Sequence, residues 1–335
     1  MIRLALAALA LGAVLEAAPG QKAMAPSDAS LPKVLWRAPN TPTLQDWTCG
    51  RAGCNKSPQP PFRFVSEEPS GTNPKILVRD SDGHAWSVKF GAEVIPECFA
   101  SRFVTAMGYF AEPTFCIGSG QIEGVGKLGR AGRMVKKDGG FRNGRFEIRD
   151  DKDLIFMKGQ TWSWDDNPFR NTHELAGLKI LVMLLSNWDT KDARDGDESN
   201  NGVFRDQSDG RAELSYGVFD WGASLGQWGH LLHRDQSDCA GYARDTPRFV
   251  TRDRAGEIEW GYSGKHDLKS GITVEDVRWL LPYLSRATPD GISAALKTSG
   301  ATERQARCWT RSIENRIEQL QAIATALRRG LNPYS

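Results

Sequence analysis

Between His173 and Phe219 the chain passes from an apolar helix, through a polar stretch, into two short strands, and this succession constrains the fold more than any other feature. His173 to Leu185 places Leu175, Leu178, Leu181, Val182 and Leu185 at helical spacing, which predicts a buried helix. Gly202 to Phe204 and Ser215 to Phe219 are short, rich in Val, Phe and Tyr, and separated by polar turn residues, so they predict a hairpin. Asn187-Trp-Asp-Thr-Lys191 then follows the helix, Asn200-Asn201 opens one strand, and Asp220 ends the other.

Those polar residues are of the types that phosphoryl transfer needs, because that reaction asks mainly that metal, phosphates and an acceptor hydroxyl be held in place. Asp189 is the candidate to meet the hydroxyl proton, with Asp195, nearer to Asn200, as the alternative. Lys191 is placed to offset phosphate charge. Asn201 and Asp220 are the candidate metal ligands, Asn201 being preferred to Asn200 because it directly precedes the strand.

An upstream half with matching chemistry is present. Lys75 to Arg79 and His84 to Phe90 read as strands joined by the turn Asp80-Ser-Asp-Gly83, which places Lys89 near the end of the second strand. After Pro96, Glu97 to Tyr109 reads as a helix with Phe99, Phe103, Val104 and Met107 on one face. Glu97 in its first turn is the expected partner of Lys89; Glu93 lies before Pro96 in a predicted loop and is the competitor.

A strand lysine, Glu97 opening a helix that ends Met107-Gly-Tyr109, then Asn187-Trp-Asp-Thr-Lys191, Asn200-Asn201 and Asp220-Trp-Gly222 together resemble the atypical kinases, the group of HipA-type, phosphoinositide and secretory-pathway kinases. The resemblance spans Lys75 to about Gly226. It implies an α+β, bilobal protein-kinase-like fold with a small β-rich N-lobe (74–160) and a larger helical C-lobe (161–335). It implies ATP with Mg or Mn between the lobes, Lys89 on the nucleotide phosphates, and Leu154 to Lys158 as the hinge, where Met157 and Lys158 would meet adenine. The sequence departs from the pattern in having no Gly-rich phosphate loop, since Gly71 stands alone and Gly118, Gly120, Gly124 and Gly126 follow the helix. The stretch Asp192 to Glu198 also lengthens the interval between Asp189 and Asn201, and reads as a polar surface excursion.

The rest of the chain sets the setting. Residues 1–25 have a charged start, a short apolar core and small residues up to Ala23-Met24-Ala25, the layout of a secretory signal peptide, so a secreted, periplasmic or secretory-pathway location is expected, with no transmembrane segment in the mature chain. The six cysteines then read as disulfides: Cys49 with Cys54, and more weakly Cys98 with Cys116 and Cys239 with Cys308. Residues 26–73, rich in Pro, Ser, Asn and Gly, read as an extended Cys-stapled arm. A net charge of +2 without a basic run argues against a nucleic-acid partner. Thr273 and Thr302 read as helix caps, the latter in a box with Gln305, and Ile313, Ile317, Leu320, Ile323 and Leu327 form a core-facing stripe. The acceptor is an unidentified hydroxyl of a protein, lipid, sugar or small molecule. Two other readings remain open: a pseudokinase or nucleotide-binding interaction module, and a secreted carbohydrate-binding or metal-dependent hydrolytic protein. The last rests on eleven tryptophans, Trp162 and Trp164 among them, and on His230 and His233 as zinc ligands.

Overall fold

The computed structural model describes residues 24–39, 47, 56–69, 71, 73–208, 210–227, 237–245, 247–254, 257–264 and 266–326. The signal-peptide core, the Cys49–Cys54 staple, His230, His233 and Leu327 lie outside the described residues.

In chain order the elements are α1 (Pro26–Ala29), β1 (Lys33–Val34), β2 (Phe62–Glu68), β3 (Lys75–Arg79), β4 (Ala85–Lys89), α2 (Val94–Ala106), β5 (Phe115–Glu123), β6 (Gly140–Ile148), β7 (Leu154–Phe156) and α3 (His173–Leu184). There follow β8 (Asn201–Asp206), β9 (Glu213–Val218), α4 (Cys239–Asp245), β10 (Val250–Arg254), β11 (Glu257–Trp260), α5 (His266–Lys269), α6 (Val274–Leu284), α7 (Pro289–Thr298) and α8 (Glu303–Ala326). The architecture is mixed α and β. Strands close a barrel in the order β2-β3-β4-β6-β5, and a second sheet runs β1-β9-β8-β7.

Buried apolar side chains form two clusters. Ile76, Val78, Trp86, Val88 and Phe146 fill the barrel. Because successive strand residues point to opposite faces, Lys75, Ser87, Lys89, Arg145 and Glu147 share the barrel's outer face. Lys89 stands opposite both Lys75 and Arg145 in register. The larger cluster joins the second sheet to α3, α6, α7 and α8, and takes in Phe99, Phe103 and Val104 of α2. Helix α2 therefore belongs to both halves: its side chains enter the larger core, while Cys98 is bonded to Cys116 of β5. Cys239–Cys308 ties α4 to α8 in the same way, so both pairings expected within the described residues are present.

Local chemistry explains the elements. The turn after β3 is organised by the Asp80 carboxylate, 6% exposed. It accepts from the backbone of Gln59, Asp82 and His84 and, at 2.8 Å, from the Trp86 indole. Thr172 caps α3, and Thr273 and Thr302 make the boxes that open α6 and α8. Helix α2 begins at Val94, earlier than predicted, with Pro96 inside its first turn; amide groups there have no intrahelical partner, so proline removes nothing. Glu93 is consequently the helix N-cap and not a loop residue.

The arm is also more ordered than its composition suggested. Val34 pairs parallel with β9, and Phe62–Glu68 is a barrel strand, so residues 26–73 supply part of both sheets. The strand escapes sequence reading because only Phe62 on it is fully buried. Removing the Asp80 carboxylate strands the buried Trp86 indole N–H; Asp80→Ala should lower the unfolding free energy by about 1–3 kcal/mol, read as a lower urea midpoint. An unchanged midpoint would remove Asp80 from this role.

Candidate active site

A cavity of about 620 Å³ opens between the barrel and the second sheet, lined among others by Lys75, Lys89, Glu93, Asp189, Lys191, Asn200 and Asp220. The Asp80-ordered hairpin delivers Lys89 to it, and the first turn of α2 meets the lysine there. Lys89 Nζ lies 2.9 Å from Glu97 and 3.4 Å from Glu93, so both candidate glutamates engage it, Glu97 more closely. Glu97 is 1% exposed and lies between two cations, since Arg145 of β6 approaches it at 2.7 Å. Arg145 also donates to Glu147 at 2.5 Å.

Burial sets the electrostatics. It pushes the Glu97 carboxyl up, against the pull of Arg145 and Lys89. Burial alone would lower the Lys89 ammonium, but Glu97, Asp220 and Glu93 hold it above its ordinary value. Burial and the neighbouring Glu147 push Glu112 well up, whereas Arg145 and Arg149 outweigh burial at Glu147 and pull it down to about 2.

The other wall comes from α3 and the β8–β9 hairpin. Helix α3 ends at Leu184 with Leu185 as its C-cap, and the next residue, Ser186, turns the chain with a φ of 49°. Arg316 of α8 lies beneath and donates to the carbonyls of Met183 and Leu184 and to Ser186 Oγ, which satisfies the helix end. Asn187, fully buried, donates from Nδ2 to the Asp220 carbonyl at 2.9 Å, stitching the segment that carries Asp189 to the one that carries Asp220. Gly222 lets the start of α2 come close to the Asp220 segment, because a Cβ there would meet Glu93 Cβ at 3.0 Å. Asp220 Oδ1 accepts from Gly222 N–H at 2.9 Å. Lys191 lies 3.0 Å from Glu198 and 3.9 Å from Asp189.

The two asparagines of the pair face differently. Asn201 is 1% exposed, does not line the cavity, and turns its Nδ2 to the Trp162 carbonyl at 3.1 Å. Asn200 faces the cavity and donates from Nδ2 to the Asp189 carbonyl at 2.8 Å, which orients its Oδ1 as the remaining acceptor. Strand alternation decides this, and the side facing inward cannot be told from the residue pair alone. Asp195, the alternative base, is occupied in a capping box with Asp192 and does not line the cavity. The stretch around it is a folded 3₁₀ turn (Ala193–Glu198) instead of a loose excursion, because the buried Asp192 carboxylate binds Arg194 and the Trp164 amide.

Met157 and Lys158 are also outside this cavity. Met157 packs against the larger core, its N–H bonded to the Val203 carbonyl. A smaller cavity of about 190 Å³ lies alongside, lined by Glu112, Glu147, Ile148, Leu154, Phe156 and Phe204, so an aromatic ring would meet the segment before Met157. Phe156 packs at 5.4 Å on Phe219, which lines the larger cavity, so the two cavities share that wall. A third cavity, of about 460 Å³, sits at the opposite end of α3; it is lined by Trp164 but by none of the candidate catalytic, nucleotide or metal residues.

Hard oxygen donors suit a hard divalent cation. The Asp220 carboxylate and Asn200 Oδ1 fit Mg or Mn, provided that phosphate oxygens complete the shell. Among the described residues no group of three or more His, Cys, Asp or Glu is arranged to hold a metal by itself, and no helix is long and apolar enough to cross a membrane. Trp162 and Trp164 are buried and offer no platform for a sugar.

Deleting Arg145 leaves Glu97 and Glu147 buried without their shared cation. Arg145→Gln should destabilise the fold by about 3–5 kcal/mol. Glu97 keeps Lys89 and Glu147 keeps Arg149, but each loses a buried counter-charge that protonation makes up for, so the loss should shrink from pH 7 to pH 5 in urea titrations; a pH-independent loss would contradict this account.

No protein-family model matches the chain, and no curated protein does. Among solved structures it is similar to a crystal structure of the Golgi casein kinase, at 12% identity and a TM-score of 0.35, over 84% of this chain and 77% of that one. It is likewise similar to the Golgi casein kinase with Mn and ADP bound, at 10% identity and a TM-score of 0.35, over 84% and 76%. Similarity at this level carries no argument about fold or chemistry, which rest on the geometry above.

Proposed function

We propose that the protein is an atypical kinase that transfers the terminal phosphoryl group of ATP to a hydroxyl, within a bilobal fold whose small lobe is the barrel with α2 and whose larger lobe is built on α3 and the second sheet. The observation that carries this reading is the convergence of Lys89, Asp189, Asn200 and Asp220, from four separate elements, on one cavity. A buried lysine held by a helix glutamate on one wall, and a carboxylate and an amide oxygen on the other, suit a magnesium–triphosphate ligand.

In this reading Lys89 binds the phosphates and Glu97 fixes its direction. Asp220 and Asn200 hold Mg or Mn, which when bound neutralises charge on the phosphates. Asp189 orients the acceptor hydroxyl and accepts its proton, and Lys191 offsets charge at the cavity mouth. The base lies in the smaller cavity against the packed pair Phe156 and Phe204, next to the Met157–Lys158 contact expected from sequence. The two disulfides suit an oxidising compartment, which agrees with export to the periplasm or the secretory pathway. The acceptor is an open choice among protein, lipid, sugar and small molecule.

Ligand binding to the folded state raises Tm, by about 2.7 kcal/mol of added stability at a hundredfold excess over Kd. ATP with Mg or Mn should raise Tm, and neither Asp220→Ala nor wild type with chelator should show the full rise. Asp189→Asn should keep the Tm rise and lose turnover. A pseudokinase would show the rise without turnover in wild type; no rise with either metal would sink the nucleotide reading.

A further inference from the structure

Lys75 stands directly opposite Lys89 across the β3–β4 pair, on the same outer face of the barrel, and both line the larger cavity. Like charges facing each other across a ladder are unfavourable unless something compensates them. Lys89 has Glu97 and Glu93. The Lys75 side chain makes no ion pair or hydrogen bond among the described residues. Its ammonium lies over Gly71, where a Cβ would come within 3.2 Å of Nζ. Beside it, Asn73 lines the same wall with its Oδ1 against Gly91, and its buried Nδ2 has no acceptor. Arg130 holds the intervening turn from outside, donating to the carbonyls of Pro69 and Gly71 at 3.0 and 2.8 Å.

The barrel-side wall of the cavity therefore carries two donors without acceptors, Lys75 Nζ and Asn73 Nδ2, beside the paired Lys89, and the cavity's other lining includes Asp220 and Asn200. The group that completes such a wall carries several negative oxygens. We propose that Lys75 and Asn73 form a second anchor for the polyphosphate tail of the nucleotide, separate from Lys89, at the turn between β2 and β3. This rests on the nucleoside-triphosphate reading of the cavity. It supplies the function of the missing glycine-rich loop with two side chains on a short, pinned turn. Lys89, neutralised by two carboxylates, fixes direction; Lys75 contributes the uncompensated charge.

The test compares wild type, Lys75→Met and Lys75→Arg in thermal-shift titrations with Mg·ATP, inorganic tripolyphosphate and adenosine. Lys75→Met should weaken Mg·ATP and tripolyphosphate by about tenfold or more, as expected for loss of a hydrogen bond to a charged group. Adenosine should bind the variant as it binds wild type, and Lys75→Arg should restore most of the phosphate affinity. If wild type shows the metal-dependent ATP shift and Lys75→Met matches it, the Lys75 anchor is wrong and the nucleotide reading stands. Equal weakening of adenosine would make the effect structural and overturn the anchor. Tripolyphosphate binding that is lost in Lys75→Met, with no response to ATP, would keep the anion site and sink the nucleotide reading. No response of wild type to ATP or tripolyphosphate overturns both.

Discussion

A carboxylate with almost no access to water is the constraint on which the rest of this structure depends. Glu97 sits in the first turn of α2 with Lys89 at 2.9 Å and Arg145 at 2.7 Å. A buried carboxylate is tolerable only when its charge is met, so two barrel strands must present cations at matching height. Register does this: Lys89 and Arg145 are directly paired, and the pleat turns both toward the helix while Val88 and Phe146 turn into the barrel. The same alternation brings Glu147 to the other side of Arg145 and Lys75 to the other side of Lys89. One row of charge thus fixes how α2 lies on the barrel, and α2 in turn carries the barrel onto the larger core through Phe99, Phe103 and Val104.

How much of this could be read from sequence follows from the range of each signal. The hairpin around Asp80-Ser-Asp-Gly83, the apolar stripe of α3 and the paired strands around Asn201 and Asp220 are local patterns, and each element lies close to its predicted place. So do the threonine caps and the two disulfides that fall within the described residues. What was misread depends on distant partners. Phe62–Glu68 becomes a strand only because β3 and β5 flank it, and the choice between Asn200 and Asn201 turns on which face of β8 meets the cavity. Arg145 was overlooked although Arg145 and Glu147 flank Phe146, an alternation that marks a strand with one charged face. Met157 and Lys158 lie just after the segment that borders the smaller cavity.

The C-terminal helix offers a second case. Its apolar stripe reads as core support, yet Arg316 on that helix reaches the last carbonyls of α3 and lies 3.9 Å over the Tyr242 ring. The turn that aims Asn187 and Asp189 is therefore held by a residue far along the chain. Helical spacing sets Arg316 on the apolar stripe, three residues after Ile313 and four before Leu320, unlike the exposed Arg307 and Arg311; which carbonyls it meets is decided by α3 and α4, which pack on that face.

Cys98 is the residue after Glu97, and its bond to Cys116 fastens the first turns of α2 to the barrel strand beside β6. A helix anchored only by packing can swing away from its sheet and take its glutamate with it, so that the ion pair becomes a reversible switch. Here a covalent stitch lies next to the glutamate. The lysine–glutamate contact is thereby tied to the covalent state of two sulfurs. While they stay bonded, the first turn of α2 cannot leave the barrel, and the pair keeps its geometry without a moving part.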